Sequence, residues 1–199
     1  MSALKLITAP EDEPITVATA KNFCKVDYTD DDELFSILIT GARIAAEGIM
    51  NRALLTQTWD LSLDRFPGWE QYIPNPALQS ITSIKYVDTN GVLQTLAADQ
   101  YLVDNASEPG RVTPAFGLIW PPTRYQTNAV TIRFVCGYGE VEDVPAGITN
   151  WMLMRIKTLY DNRSQIEVDT RITQVVLPPE FIDGLLNDYS VDSFCWALE

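Results

Sequence analysis

The spacing of apolar residues divides the chain into a helical beginning, a middle rich in strands and a helical end. Residues 17–24 and about 31–51 carry apolar side chains with the period of a helix, and Thr16 is a favourable N-cap for the first segment. From Leu54 to Gly139 apolar and polar positions alternate, as in LLTQTWDLSL, which is typical of half-buried strands. Residues 145–162 return to the helical period, with Pro145 suited to a helix start.

The second predicted helix is apolar around most of its circumference. Its polar residues form one narrow stripe with spacings of 4, 3, 4 and 4: Ser36, Thr40, Arg43, Glu47 and Asn51. A helix of this kind is surrounded by protein. The surrounding protein is either the rest of a monomeric bundle or another copy of the chain, which Gly41 and Gly48 would allow to approach closely.

The middle of the chain predicts five or six short antiparallel strands. Asn90-Gly91 lies between two alternating runs and is a strong hairpin signal. YLVD (residues 101–104) and the Val- and Ile-rich run up to Cys136 add further strands. We therefore predict an α+β protein with a helical bundle core of about four helices and an inserted antiparallel β subdomain, either a small sheet or a barrel.

The expected boundaries follow from this change of period. Residues 1–53 and 145–199 would form the helical core, and residues 54–144 the inserted β subdomain. Residues 187–199 would form a C-terminal tail. In that tail Phe194, Trp196 and Leu198 alternate with other residues, so they would line one side of an extended strand. Such a strand fits either a partner's sheet edge or the protein's own core.

Charge argues against a protein that grips nucleic acid. The net charge is −13, divided as −5 over residues 1–33, −2 over 34–164 and −6 over 165–199. Binding DNA phosphates requires a basic patch, and the sequence shows none. Acidic ends instead indicate solubility, a basic protein partner or a surface from which DNA slides away.

Few residues suit catalysis or a cofactor. The chain has no histidine, and its three cysteines lie far apart, so most zinc patterns and every imidazole-dependent triad are excluded. Three acidic clusters, at 11–13, 30–33 and 140–143, could serve a carboxylate-dependent hydrolase. Each precedes a predicted helix, however, where the helix dipole explains it. We predict no enzyme, no cofactor and no metal.

Membrane association is not expected. The first residues, MSALKLITAPEDEP, lack the apolar stretch of a signal peptide. No run approaches the roughly 18 apolar residues that cross a bilayer. The sequence predicts an intracellular protein.

Taken together, many modest signals resemble one protein family. They are EPITVATAKNFCKVD, DDELFSILITGARIAAEGIMNRALLTQTWDLSLDRFPG, ITSIKYVDTNGVLQTL, EPGRVTPAFGLIWPPTR, NAVTIRFVCGYG and VPAGITNWMLMRIKTLYDNRS. Over about residues 3–164 the chain is similar to the head–tail connector (adaptor) proteins of long-tailed bacteriophages and phage-like gene transfer agents. Beyond Ser164 the similarity weakens.

The resemblance implies a structural role in a virion made in the bacterial host cytoplasm. It implies a closed ring of about twelve copies below the portal protein, at the neck, that continues the DNA channel toward a tail-side stopper protein. DNA would pass without specific binding. Another ring-forming virion module, such as a tail-completion protein, is the alternative.

The family also implies where contacts lie. The C-terminal segment would dock on the portal, which assigns that role to Phe194, Trp196 and Leu198. For the subunit interface we select Arg43, Glu47, Trp120 and Arg124. Trp120 is also expected to pack against the core of the β subdomain, and Arg124 to touch an adjacent subunit or a tail-side protein.

Overall fold

The computed structural model describes residues 2–162 and 184–191. Within them the chain divides into two compact units. The sheet unit comprises residues 2–11, 51–139 and Val191, and the helical unit comprises residues 12–50, 140–162 and 184–190. Antiparallel sheets and helices together confirm the α+β class.

Three α-helices pack against one another in the helical unit. They are α1 (Val17–Cys24), α2 (Asp32–Met50) and α3 (Ala146–Asp161), with short 3-10 helices at Val141–Asp143 and Gly184–Tyr189. The predicted N-cap of α1 is confirmed, because Thr16 Oγ1 accepts a hydrogen bond from the Thr19 amide at 3.1 Å. The largest fully buried side chains of the unit are Phe35, Ile39, Met50, Ile148, Trp151, Met152 and Ile156.

The sheet unit contains eight strands in two antiparallel sheets. The strands are β1 (Ser2–Thr8), β2 (Gln57–Leu63), β3 (Gln71–Tyr72), β4 (Leu78–Val87), β5 (Leu93–Leu96), β6 (Tyr101–Asp104), β7 (Arg111–Pro114) and β8 (Val130–Cys136). One sheet has the order β1-β2-β8-β4-β5 and the other β3-β7-β6. Both sheets are open at their edges, so the barrel alternative is wrong for the described strands.

Strand β8 is the centre of the sheet unit because it pairs on both sides. Ile132 lies opposite Leu61 of β2 and Ile84 of β4, and all three side chains are buried. The alternate residues Thr131 and Arg133 lie on the other face and are partly exposed. The five-stranded sheet therefore has one dry face in the core and one partly exposed face, which we call its open face.

The predicted hairpin is confirmed between β4 and β5. Asp88 Oδ1 accepts hydrogen bonds from the amides of Asn90 at 2.9 Å and Val92 at 3.0 Å. Gly91 has φ 85°, a conformation that a residue with a Cβ rarely adopts. These contacts fix the turn and with it the register of the two strands.

Three strands, β1, β3 and β7, are not indicated by the sequence pattern. Strand β1 was grouped with the helical core, but it forms an edge of the five-stranded sheet, and every one of its residues is exposed. The place of β1 depends on its pairing with β2, which is distant in sequence. Strand β3 has only two residues, and β7 lies in a stretch rich in proline and glycine, which favour turns. The predicted last helix is described only as the 3-10 turn Gly184–Tyr189.

Candidate interaction surfaces

The polar stripe of α2 is used inside the helical unit. Arg43 is 8% exposed, and its Nε donates to Glu13 Oε2 at 2.8 Å while its Nη1 donates to Glu47 Oε2 at 2.9 Å. Thr40 donates to Glu13 Oε1 at 2.8 Å. Glu13, which lies before α1, therefore binds the middle of the stripe, whereas Ser36 at its beginning is exposed. Arg43 and Glu47 bind residues of their own chain, and their place at a subunit interface stays a prediction.

The exposed side of α2 is apolar instead. Ile37 is 63% exposed and Ile44 is 58% exposed, and they lie one above the other with Gly41 and Gly48 beside them. Apart from the adjacent residues and the nearby backbone of α2 itself, no atom of the described residues lies within 4 Å of where a Cβ on either glycine would stand. We call these four residues the α2 outer face. Water-exposed isoleucines next to open glycine positions are typical of a surface that another helix or loop covers.

Trp120 holds a loop to the core of the sheet unit. Its ring stacks on Phe66 with centroids 4.8 Å apart and an interplanar angle of 1°, and its Nε1 donates to the Trp69 carbonyl at 2.8 Å. Trp120 is 9% exposed. Most of this side chain is therefore already in contact with its own chain, as its role in the core of the β subdomain requires. Its contact with a neighbouring subunit stays a prediction.

The loop around Trp120 projects other apolar side chains into solvent. Residues 115–125, which we call the proline loop, carry Phe116 and Tyr125 at 101% exposure and Ile119 at 84%. The side chain of Arg124 is exposed as well and lies beside Gly91 of the hairpin. A loop of this kind exposes more apolar surface than solubility alone favours, so it is the second candidate surface.

The open face of the five-stranded sheet is polar and locally basic. One row of this face crosses β1, β2, β8 and β4 through Lys5, Asp60, Arg133 and Ser83, in that order. Lys85 lies two residues after Ser83 on β4. Arg133 Nε and Nη2 donate to the two oxygens of Asp60, each at 2.8 Å. This hydrogen bonding, aided by the nearby positive charges, lowers the pKa of Asp60. Serine and threonine hydroxyls occupy most other positions of this face.

The acidic clusters perform local structural tasks. Asp31 accepts hydrogen bonds from Tyr160 at 2.7 Å and Tyr28 at 3.2 Å, and the Tyr28 and Asp31 contacts raise the pKa of Tyr160. Glu140 and Asp143 form a reciprocal capping box around the 3-10 helix at 141–143. In the described parts of the chain, no three acidic, cysteine or histidine side chains are grouped so as to hold a metal ion. These contacts give Asp31, Glu140 and Asp143 structural roles.

Two further observations concern the ends of the chain and the membrane. The predicted docking residues Phe194, Trp196 and Leu198 lie outside the described residues. Among residues 2–162 and 184–191, no helix is long and apolar enough to span a bilayer.

Comparison with known proteins relates the fold to virus-like particles. No protein-family model and no curated protein sequence matches the chain. Several chains of solved structures are similar, and three of them match over almost the whole length. One is a chain of the neck of an empty GTA particle computed with C6 symmetry (TM-score 0.76, 20% identity, 96% of both chains).

The other two come from related assemblies. One is a chain of the virion of a native gene transfer agent particle (TM-score 0.74, 20% identity, 95% of both chains). The last is a chain of the neck of a native GTA particle computed with C12 symmetry (TM-score 0.67, 21% identity, 96% of both chains). At this identity the similarity shows a shared fold that includes both units.

Proposed function

We propose that the chain is a structural subunit of the neck of a tailed phage or phage-like particle. Its copies form a ring there, and each contact joins two different surfaces of neighbouring copies. The observation that carries this proposal is the fold, which matches chains of two gene transfer agent necks over 96% of their length. The resemblance in sequence points to the same class of protein. A ring subunit needs uncovered apolar surfaces for its neighbours, and the α2 outer face and the proline loop supply two.

Within the neck we assign the chain to the head–tail connector, or adaptor, position. The ring would bind the portal protein on one side through Phe194, Trp196 and Leu198 and a tail-side stopper protein on the other. The matched necks were computed with C6 and C12 symmetry, and we propose about twelve copies because the connector resemblance implies that number. A tail-completion module with six copies is the competing assignment.

Passage of DNA suits the charge of the helical unit. Its described residues hold 5 basic and 13 acidic side chains, for a net charge of −8. If this surface faces the channel it repels DNA phosphates over roughly 8 Å at physiological salt, so DNA passes without being held. We assign no catalytic role, because carboxylates of all three acidic clusters, among them Glu13, Asp31 and Asp143, are used in ion pairs, hydrogen bonds or caps.

The test is cryo-electron microscopy of the particle that contains this chain. We expect a ring of density at the head–tail junction into which both units fit, in direct contact with the portal. Density for the chain in the tail tube or the capsid wall would contradict the assignment. A ring of six below an intervening ring would instead favour the tail-completion module.

The portal contact has its own test. A chain truncated before Ser193 should keep its fold, measured by circular dichroism, and should bind the portal less tightly than the full chain. Undiminished binding would remove the assigned role of Phe194, Trp196 and Leu198.

A further inference from the structure

The proline loop is fixed at several points, although its tip is exposed. Leu118 donates its amide hydrogen to the Ala115 carbonyl at 2.9 Å, which closes a turn around Phe116. Trp120 anchors the centre of the loop. At the far end Thr123 pairs with Asp88, and the Arg124 amide donates to the Val87 carbonyl at 3.0 Å. A loop held in this way loses little conformational entropy when it docks.

The loop therefore presents three apolar side chains as preformed knobs. Phe116, Ile119 and Tyr125 project from a backbone that is tied to the core on both sides. Aromatic residues on rigid supports are the residue types that anchor protein interfaces most strongly. These side chains need a partner surface that is apolar and has hollows deep enough for an aromatic side chain.

The α2 outer face has that form. Ile37 and Ile44 rise on either side of Gly41, and the space over Gly41 and Gly48 is open. A helix surface with a glycine between larger residues has a groove there, because only the backbone lies beneath. Gly41 and Gly48 stand two helical turns apart, about 10.5 Å at 1.5 Å per residue, so two side chains of a partner loop can be accommodated.

Charge favours a second copy of the chain as the partner. Two copies carry −13 each and repel, so their contact requires surfaces without negative charge. The α2 outer face and the knobs of the proline loop are both uncharged. At their margins the signs are complementary, because Arg124 is exposed on the loop and Glu33 is exposed in the first turn of α2.

We propose that the proline loop of one copy packs on the α2 outer face of the adjacent copy, with Arg124 directed toward Glu33. The contact rests on the proposed ring and specifies how it is built. The two surfaces are different parts of the chain, so the contact is heterologous. Repetition of a heterologous contact closes a ring when the rotation allows it.

Site-directed crosslinking tests this pairing. In a Cys195→Ser background, where Cys24 and Cys136 are buried, one variant carries Ile44→Cys and a second carries Ile119→Cys. Both positions are exposed, so neither change is expected to disturb folding. A short bismaleimide is added to each variant, to their mixture and to a chain with both changes. Each sample is measured as purified protein and within assembled particles.

Crosslinked dimer should appear in the mixture and in neither variant alone. The doubly substituted chain should give a series of crosslinked oligomers whose largest member is the complete ring. As a matched control, Thr95→Cys on the open face of the five-stranded sheet replaces Ile119→Cys and should give no product. Reversal of charge in Arg124→Glu should lower the yield, and Arg124→Glu with Glu33→Arg should restore it.

The contrary outcomes are distinct. Dimers of the Ile44→Cys variant with itself would mean that α2 packs on α2, and the pairing would be wrong. A ring that assembles without any of these crosslinks would overturn the pairing and leave the proposed function intact. Absence of both ring and crosslinks in assembled particles would overturn the proposed function as well.

Discussion

The outer side of α2 in the helical unit and the open face of the five-stranded sheet in the sheet unit meet solvent in opposite ways. The helical unit has a net charge of −8 over its described residues, yet one side of its longest helix is apolar and open to solvent. The sheet unit is almost neutral, at −1, and the open face of its five-stranded sheet carries lysines, an arginine–aspartate pair and hydroxyls. One surface needs a partner and the other is satisfied by water.

This contrast indicates which surfaces contact other subunits more directly than net charge or composition does. A helix bundle with an uncovered apolar face either aggregates or assembles with a partner. Because the acidic charge of the rest of the bundle favours solubility, we expect assembly. Polar side chains lie on four neighbouring strands of the sheet face, so this face is suited to remain exposed after assembly. We therefore expect neighbours on α2 and on the proline loop, and solvent on the sheet.

The largest effects should come from the two cores. Phe134 in the sheet unit and Phe35 in the helical unit are both completely buried, and replacing either with alanine should cost about 3–5 kcal/mol. Hydrogen exchange distinguishes them. Phe134→Ala should reduce protection mainly in β2, β4 and β8, and Phe35→Ala mainly in α2 and α3. Equal loss across both units in each variant would show that the chain unfolds as one cooperative body.

The buried ion pair of α2 should come next. Arg43→Met leaves Glu13 and Glu47 without their shared cation, and we expect a loss of about 2–3 kcal/mol in the free energy of unfolding by urea. Lys157→Met breaks an exposed i,i+4 pair with Asp161 and should cost less than about 1 kcal/mol. If the two variants are equally stable, the interior role of the polar stripe is wrong.

The Asp60–Arg133 pair on the open face of the sheet should make a smaller contribution to stability, and this contribution depends on pH. The folded state holds the pKa of Asp60 below its usual value near 3.9 through Arg133, so the pair stabilises the fold above pH about 4. This contribution is lost as pH falls through the folded pKa. Because Arg133 is partly exposed, we expect under about 1 kcal/mol.

Asp60→Asn provides the control for that titration. The variant should be less stable than the parent at neutral pH, and the difference should shrink between pH 5 and 2. A difference that stays constant over this range would mean that the pair does not contribute through the charge of Asp60.

The smallest effect on the isolated fold should come from the α2 outer face. Ile37→Asp and Ile44→Asp should each change stability by less than about 0.5 kcal/mol, because both side chains are mostly in water already. Thr95→Asp on the open face of the sheet is the matched control. A large destabilisation of the Ile variants would mean that these side chains support the fold rather than assembly.

Much of the fold follows from periodicity. The hairpin at Asn90-Gly91, the central strand β8, the N-cap at Thr16 and the extent of α2 are all specified by local residues whose preferences agree with the tertiary structure. Strand β1 could not be found in this way, since its place depends on pairing with β2, which is distant in sequence.

The candidate surfaces were harder to predict because local pattern does not say which side is covered. The pattern of α2 shows a narrow polar stripe but not what covers each side of the helix. Glu13, 30 residues earlier in the chain, binds Arg43 within the stripe, while the two isoleucines of the α2 outer face are exposed. In the proline loop, Trp120 was correctly expected in the core, whereas nothing in the sequence separates it from its neighbour Ile119, which projects.

The most direct test of the central claim is the mass of the assembly that we propose the chain forms with a portal protein. Native mass spectrometry of the 22.3 kDa chain expressed with the portal should detect a complex with about twelve added copies. The Ile37→Asp, Ile44→Asp double variant should abolish it, and Thr95→Asp should leave it unchanged. A chain that stays monomeric in the presence of portal, or a ring that forms undiminished in the double variant, would contradict this account of how the neck is built.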